Sequence, residues 1–398
     1  VVTSDVSYGS EVLAVVDAEA ERAELLAAVE ALAPEIAART AELDAGRRLP
    51  LALVAQLKAA GVFRMFVPRS HGGLELDLSA GLEVLEAVAR ADGATGWATM
   101  IGCETPHLLA KLPRSRFDAI YADCPDVILG GAVAPQGQAT PAPGGFHVSG
   151  RWGFVSGCQH SDWLFGNCVV KGTGDGPPQL RAMVVPAGQA KIIDTWFALG
   201  LRGSGSHDIA LDGFVPEEQT FDVFQGAPCL DGPTFVVPVF QFSCHMAAVA
   251  VGIAQGALDE VTSQAIAGRK RLYARAPLSE SPVFHARLGR LDAELRAARA
   301  ALHSAAGALW AACGRGPEAA FAAAPRVAAT VAWVISTASS VVTACYSEGG
   351  ASALRDGSPL QRRLRDVSTV TQHAVASDGW FGTAGAALLG RPFDLFAH

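Results

Sequence analysis

The stretch RLRDVSTVTQHAVASDG, Arg363 to Gly379, sets a histidine in apolar surroundings. If it is helical, Asp366 and His373 stand two turns apart and share a face. An imidazole with an ordinary pKa of about 6.5 can hold or give a proton at neutral pH. A carboxylate on the same face would orient that ring or raise its pKa. Asp366 could instead pair with Arg362 one turn back, and a packed core histidine is the plainer reading of His373. A second group lies in LRGSGSHD, where Gly203, Ser204, Gly205 and Ser206 suit a tight turn offering backbone and small hydroxyls to a ring or phosphate edge. The stretch lacks the strand–GxxxxGK[ST]–helix form of a phosphate loop, and Arg202 and His207 beside it could equally face solvent. In GRWGFVSG, Trp152 and Phe154 alternate before Ser156 and a turn, as in an ordinary strand. His107 in ETPHLLAKLP could be a base, a cap or a core residue; His71 stands beside Gly72 and Gly73. GRKRLYAR holds Arg269, Lys270, Arg271 and Arg275, which fit a phosphate or a solvated helix end.

These residues need a large scaffold, and 398 residues at 50% hydrophobic and 18% charged provide one. A net charge of −8 leaves no broad basic face, so neither nucleic acid nor an anionic membrane is expected as the main partner. The first residues lack a basic segment followed by an apolar run, which favours a soluble, cytoplasmic protein. Gly232 to Leu258 carries no Asp, Glu, Lys or Arg, but Pro233, Pro238, Gln241, His245 and Gln255 make it a buried bundle helix rather than a membrane span. Eight cysteines without a CxxC pair support neither a zinc site nor a disulfide framework.

Periodicity divides the chain in three. Three- and four-residue spacing predicts helices over 1–128, including LALVAQLKAA stopping at Gly61, then LSAGLEVLEAVARAD and GATGWATMIG. Short β-prone runs broken by Gly, Pro and Asp predict a β-domain over 129–233. Four long helices, at about 236–270, 282–313, 318–347 and 360–389, predict a bundle over 234–398.

Five patterns in this order resemble the acyl-CoA dehydrogenase superfamily: VPRSHGGLELD, ARADGATGW, GRWGFVSGCQHSDW, LGLRGSGSHDIALDGFVPEE and PLQRRLRDVSTVTQH. The resemblance covers essentially the whole chain. It implies a mainly α fold with a central β-domain: an N-terminal helical domain, a β-barrel and a C-terminal four-helix bundle. The dehydrogenases of this superfamily remove an α-proton with a glutamate, usually in a pattern like R-D-x(7)-E-G. The same distance from Arg365 and Asp366 reaches Ala374, with Val375 in place of the glycine. The alternative location, VFQFSCHMAAVAVGIAQG, has no carboxylate. Proton abstraction at Cα has lost its base.

A "QH" on this segment without a glutamate resembles the group D two-component flavin-dependent monooxygenases. The resemblance implies reduced flavin (FMNH2 or FADH2) from a separate NAD(P)H:flavin reductase, O2, and a C4a-hydroperoxyflavin that hydroxylates a small phenolic or polyketide-like aromatic. No GxGxxG follows a strand here and opens a helix, which agrees with a separate reductase. By the same resemblance His373 supplies a proton to the peroxide, and Ser156 contacts flavin N5 and O4. Phe154 lies along the ring with Trp152 nearby, and Gly203, Ser204 and Ser206 form a flavin-side turn. Arg271 or a neighbour meets the phosphate. His107 serves as substrate base, and His71 lines the entrance. The family is usually a homotetramer. The alternatives are N-hydroxylation of an amine such as a nucleotide-linked amino sugar, thioester oxidation with an unusual base, and a non-catalytic flavin-binding scaffold.

Overall fold

A computed structural model describes residues 6–172, 178–236, 238–271 and 273–395; the outermost residues of the first and last expected units, 173–177 in the β-region, and 237 and 272 lie outside them. Seven helices come first: α1 (Val6–Ala38), α2 (Thr40–Gly46), α3 (Leu51–Ala60), α4 (Leu78–Ala91), α5 (Gly93–Cys103), α6 (Thr105–Leu109) and α7 (Arg114–Tyr121). The helix α3 stops at Gly61, which closes it at φ 90°. Asp77 and Asp92 cap α4 and α5 by accepting from the N–H groups of Ala80 and Thr95.

Seven strands follow: β1 (Leu129–Ala142), β2 (Gly145–Val155), β3 (Trp163–Val170), β4 (Leu180–Pro186), β5 (Lys191–Ile193), β6 (His207–Pro216) and β7 (Thr220–Phe221). They form one sheet in the order β5-β6-β2-β1-β3-β4-β7. Only β1 and β3 run parallel, and among the described residues the edge strands β5 and β7 do not pair to close a ring. Alternation along β4 shows how the faces divide. Met183 and Val185 join Trp152, Leu164 and Ile209 on one face, while Ala182 and Val184 pack with Leu109 and Phe117 of the N-terminal helices on the other.

The last helices are α8 (Pro238–Ile266), α9 (Pro282–Cys313), α10 (Pro317–Gly349), α11 (Pro359–Val370) and α12 (Gly379–Leu388). Helix α8, free of charge until Asp259, lies against α4, α9, α10 and α11, and its buried Ala247, Val251 and Ala254 explain its composition. One core unites Leu53, Leu82 and Trp97 with Ile253, Leu302, Val334 and Val367. The N-terminal and C-terminal helices, read separately in the sequence, thus share an interior. Pro317–Leu354 is long and apolar enough to cross a membrane by length and composition, yet half of its most apolar window is buried in this core.

The expected fourth long helix is interrupted. It ends at Val370, and His373 takes extended angles (φ −75°, ψ 146°) as the cap of a short 3-10 turn, Ala374–Ala376. The run Thr369-Val370-Thr371 is β-branched, and Ser377 and Asp378 favour turns, so both ends of this break disfavour helix. His373 and Asp366 therefore share no helical face.

Candidate active site

Strand β2 sets up the first cluster. Its pairing with β6 shifts register between Trp152 and Val155, a bulge that redirects the side chains beyond it. Phe154 sits in the bulge at φ 63°, a costly conformation for a non-glycine residue. Its ring is 76% exposed and meets Trp196 edge-on at 6.3 Å. Phe154 and Trp196 thus make an apolar shelf beside the strand end; Phe197 and Leu199 on the following segment are also exposed, with the Arg47 guanidinium over the Phe197 ring at 4.0 Å.

Behind the shelf runs a chain of hydroxyls. Trp97 of α5 donates through Nε1 to Ser156 Oγ at 3.1 Å, Ser156 Oγ lies 2.7 Å from Ser206 Oγ, and Ser206 lies 2.7 Å from Ser204 Oγ. An indole N–H only donates, so Ser156 accepts on that side. If Ser206 donates to its other lone pair, the Ser156 proton points out of the chain. His373 packs against Trp97 with ring centroids 5.9 Å apart. Its Nδ1 accepts from the Val375 N–H at 3.3 Å, so the neutral ring carries its proton on Nε2. Nearby protein pushes its pKa down by desolvation, although the residue keeps an exposed face that limits the effect.

The serine turn is anchored from α11. Asp366 accepts from the Leu201 N–H at 2.6 Å, and Arg365 bonds Leu199 O at 3.1 Å and Asp44 at 2.7 Å. A Cβ at Gly200 would fall 2.1 Å from Arg365 O, so only glycine permits this approach. Asp366 consequently neither orients His373 nor pairs with Arg362, whose guanidinium lies 3.6 Å from Asp44. Burial pushes Asp366 up to about 7, with the buried Asp92 adding to the rise.

Other expected positions fall elsewhere. Trp152 has no exposed surface: its indole donates to Asn167 O and fills space that Cβ atoms at Gly137, Gly150 and Gly166 would need, so it braces the sheet interior and offers no face to a ring. His71 bonds Asp118 at 2.9 Å and packs edge-on against Phe117, which ties it to α7. Arg271 pairs with Glu348, which Arg287 also binds. His207 is buried, not solvent-facing, with Nδ1 accepting from the Thr195 and Trp196 N–H groups.

His107 belongs to a second, buried cluster that the sequence did not reveal in full. Its Nδ1 meets the backbone oxygen of Glu104 at 3.3 Å, while Glu104 Oε1 lies 2.9 Å from Nδ1 of His245 on α8. Burial pushes His107 down to about 4, raises Glu104 well above the carboxylate range and lowers His245 well below the imidazole range. The available signals were a Glu three residues before His107 and a lone His within a charge-free helix. Trp97, also missed, stands on the same face of α5 as Glu104, about 10 Å along the axis. A cavity of about 100 Å³ between Phe240, Val331, Val375 and Trp380 lies beside the His373 turn. Among the described residues no His, Cys, Asp or Glu cluster could hold a metal ion.

An apolar shelf, a serine hydroxyl ending a hydrogen-bonded chain and an imidazole with Nε2–H at one edge suit a flat, redox-active ring with hydrogen-bonding edges. The residues present fit a flavin. Residues 19–110 match the acyl-CoA dehydrogenase N-terminal domain and 244–378 its C-terminal domain. The chain is 32% identical to an indole-3-acetate monooxygenase of Pseudomonas putida, over 89% of this chain and 90% of that one. It is 28% identical to HsaA of Rhodococcus jostii, a flavin-dependent monooxygenase oxygenase subunit, over 87% and 93%. The structure of XiaF from Streptomyces sp., in complex with FADH2 and glycerol, superposes with a TM-score of 0.87 at 26% identity, covering 96% of this chain and 98% of that one. The protein belongs to the acyl-CoA dehydrogenase superfamily. Within it, the chain is a flavin-dependent monooxygenase.

Proposed function

We propose that this oxygenase component hydroxylates a small aromatic, phenolic or polyketide-like, with dioxygen. One oxygen atom enters the ring and the other leaves as water, with two electrons drawn from the reduced flavin. When bound, the flavin supplies the electrons that activate dioxygen; the chain supplies position and protons. The reading rests on the Trp97–Ser156–Ser206–Ser204 chain beside His373 and the exposed Phe154 shelf. Ser156 holds the ring edge through its outward proton or its lone pair. His373 presents the Nε2 proton to the oxygen-bearing edge. His107, neutral at pH 7, accepts the substrate hydroxyl proton at Nε2 and makes the ring carbon a stronger nucleophile.

Gly203, where a Cβ would fall 3.0 Å from Leu43 Cβ, and Gly205, at φ 58°, hold the serine turn close against α2 and α5, the position from which its hydroxyls would serve the ring. Arg271 is a candidate for the phosphate only if it releases Glu348. Exposed Phe321 and Trp333 on α10 suit packing against other copies in a homotetramer, and a cytoplasmic setting fits a reductase partner that draws on NAD(P)H. Amine hydroxylation, thioester oxidation and a scaffold role are not favoured: the relatives include hydroxylases of aromatic compounds, and Ala374 carries no carboxylate.

The test is anaerobic mixing of the protein and reduced FMN or FAD with oxygenated buffer. A long-lived near-UV transient before oxidised flavin appears is expected. Oxidation indistinguishable from that of free flavin, with and without aromatic compounds, would overturn the reading.

A further inference from the structure

Glu104 and His245 have no part in the chemistry above, yet they are the most deeply buried carboxylate–imidazole pair near it: His245 is 0% and Glu104 5% exposed. Both imidazoles of the cluster hang from one residue. His107 Nδ1 meets the Glu104 backbone oxygen and His245 Nδ1 its side chain, so both rings turn Nε2 away from Glu104. The ring centroids are 6.2 Å apart. Phe66 lies 5.1 Å from each, stacked on His245 and edge-on to His107, and Phe242 closes one side. Neither Nε2 has a partner. The Gln241 amide beside His107 gives one N–H to Thr234 O at 3.0 Å, and its side chain also acts on His107, raising that ring's pKa against the larger effect of burial.

Proton positions follow from the partners. A backbone oxygen only accepts, so His107 Nδ1 carries hydrogen and its Nε2 offers a lone pair. Burial favours the net-neutral form of the Glu104–His245 pair, as carboxylic acid with imidazole or carboxylate with imidazolium. In either form His245 Nε2 carries hydrogen. The cluster thus presents one acceptor and one donor, both unpaired in a folded core.

We propose that His245, positioned by Glu104, forms with His107 a donor–acceptor clamp that selects aromatic substrates bearing a free ring hydroxyl. The hydroxyl oxygen accepts from His245 Nε2–H while its proton points to His107 Nε2. After transfer to His107, the oxyanion keeps both contacts. An O-methyl ether can accept but not donate, and leaves His107 unpaired. This deepens the proposed aromatic hydroxylation and rests on it for the identity of the pocket.

The test measures equilibrium binding to the full chain, with and without reduced flavin under anaerobic conditions. The probes are 1-naphthol against 1-methoxynaphthalene, and 3-hydroxyphenylacetate against 3-methoxyphenylacetate. Wild type should prefer the hydroxylated member of at least one pair by about tenfold or more. His245→Phe and Glu104→Leu should abolish the preference while still melting cooperatively. Glu104→Gln should retain it, because the amide N–H can donate to His245 Nδ1 and keep hydrogen on Nε2. No preference in wild type, including failure to bind either hydroxylated probe, overturns the clamp. So does a wild-type preference in Glu104→Leu, the variant that decides the matter if His245→Phe fails to fold. The oxygen transient is a readout separate from probe binding, so its absence would count against the oxygenase reading and not against this preference.

Discussion

At the N-terminal end of α5, Trp97, Ser156, Ser206 and Ser204 form a chain in which each polar atom finds another. At the C-terminal end, His107 and His245 each bury an Nε2 with nothing to meet it. Trp97 lies on α5 and Glu104 at its C-cap, and under the proposals above the contrast separates a surface prepared for a fixed ring from buried polar groups completed by a substrate. A satisfied network is rigid and places its outward hydroxyl accurately. An unsatisfied pair stores a cost that the right substrate removes and a wrong one does not, which is how polar sites discriminate most strongly.

The largest effect that sharpens this contrast is expected at His373. His373→Ala should shorten the lifetime of the near-UV transient on the order of 100-fold, the scale of losing a positioned proton donor. Reduced-flavin affinity should remain largely intact, since the shelf and the serine chain do not include the ring. Stopped-flow traces superimposable on wild type would remove His373 from the reaction.

A smaller effect tests whether the serine chain is a unit. Ser156→Ala leaves the buried Trp97 Nε1 without its acceptor and breaks the path to Ser206. The expected cost is about 1–3 kcal/mol in stability, with weaker reduced-flavin binding and more uncoupled peroxide. Trp97→Phe should recover part of the stability in the double variant, because it removes the stranded donor. Additive losses in thermal melts would show the two residues to be independent.

Much of the first cluster was legible in the sequence because its residues are local and typed. Ser156 follows a strand with an aromatic alternation, and Ser204 and Ser206 sit in a glycine turn. The strand–turn–strand grammar also marked out the β-region, and helical spacing the α-helices, including α8 as a core helix. The rest depended on contacts between distant segments. Trp152 and Phe154 look alike in sequence, yet the bulge after Trp152 buries one and exposes the other. His373 and Asp366 share a face only on an unbroken helix, and the chain breaks at Val370. The Glu104–His245 bond joins residues 141 positions apart, beyond any periodicity.

The smallest effect concerns Asp366, which links the two regions by anchoring the serine turn and facing Asp92 at the start of α5. Its folded pKa of about 7 stands above the unfolded value of about 3.9. The folded state therefore binds the extra proton between those values. Its contribution to stability is fully present below about pH 4 and is lost as pH rises through 7. The amide introduced by Asp366→Asn cannot titrate, and its oxygen can still accept from the Leu201 N–H. The variant should show a shallower fall in Tm from pH 5 to 8 than wild type. Some slope should persist, because burial also raises Asp92, opposed by Arg362 and Arg363. Equal slopes in the two proteins would place the proton elsewhere.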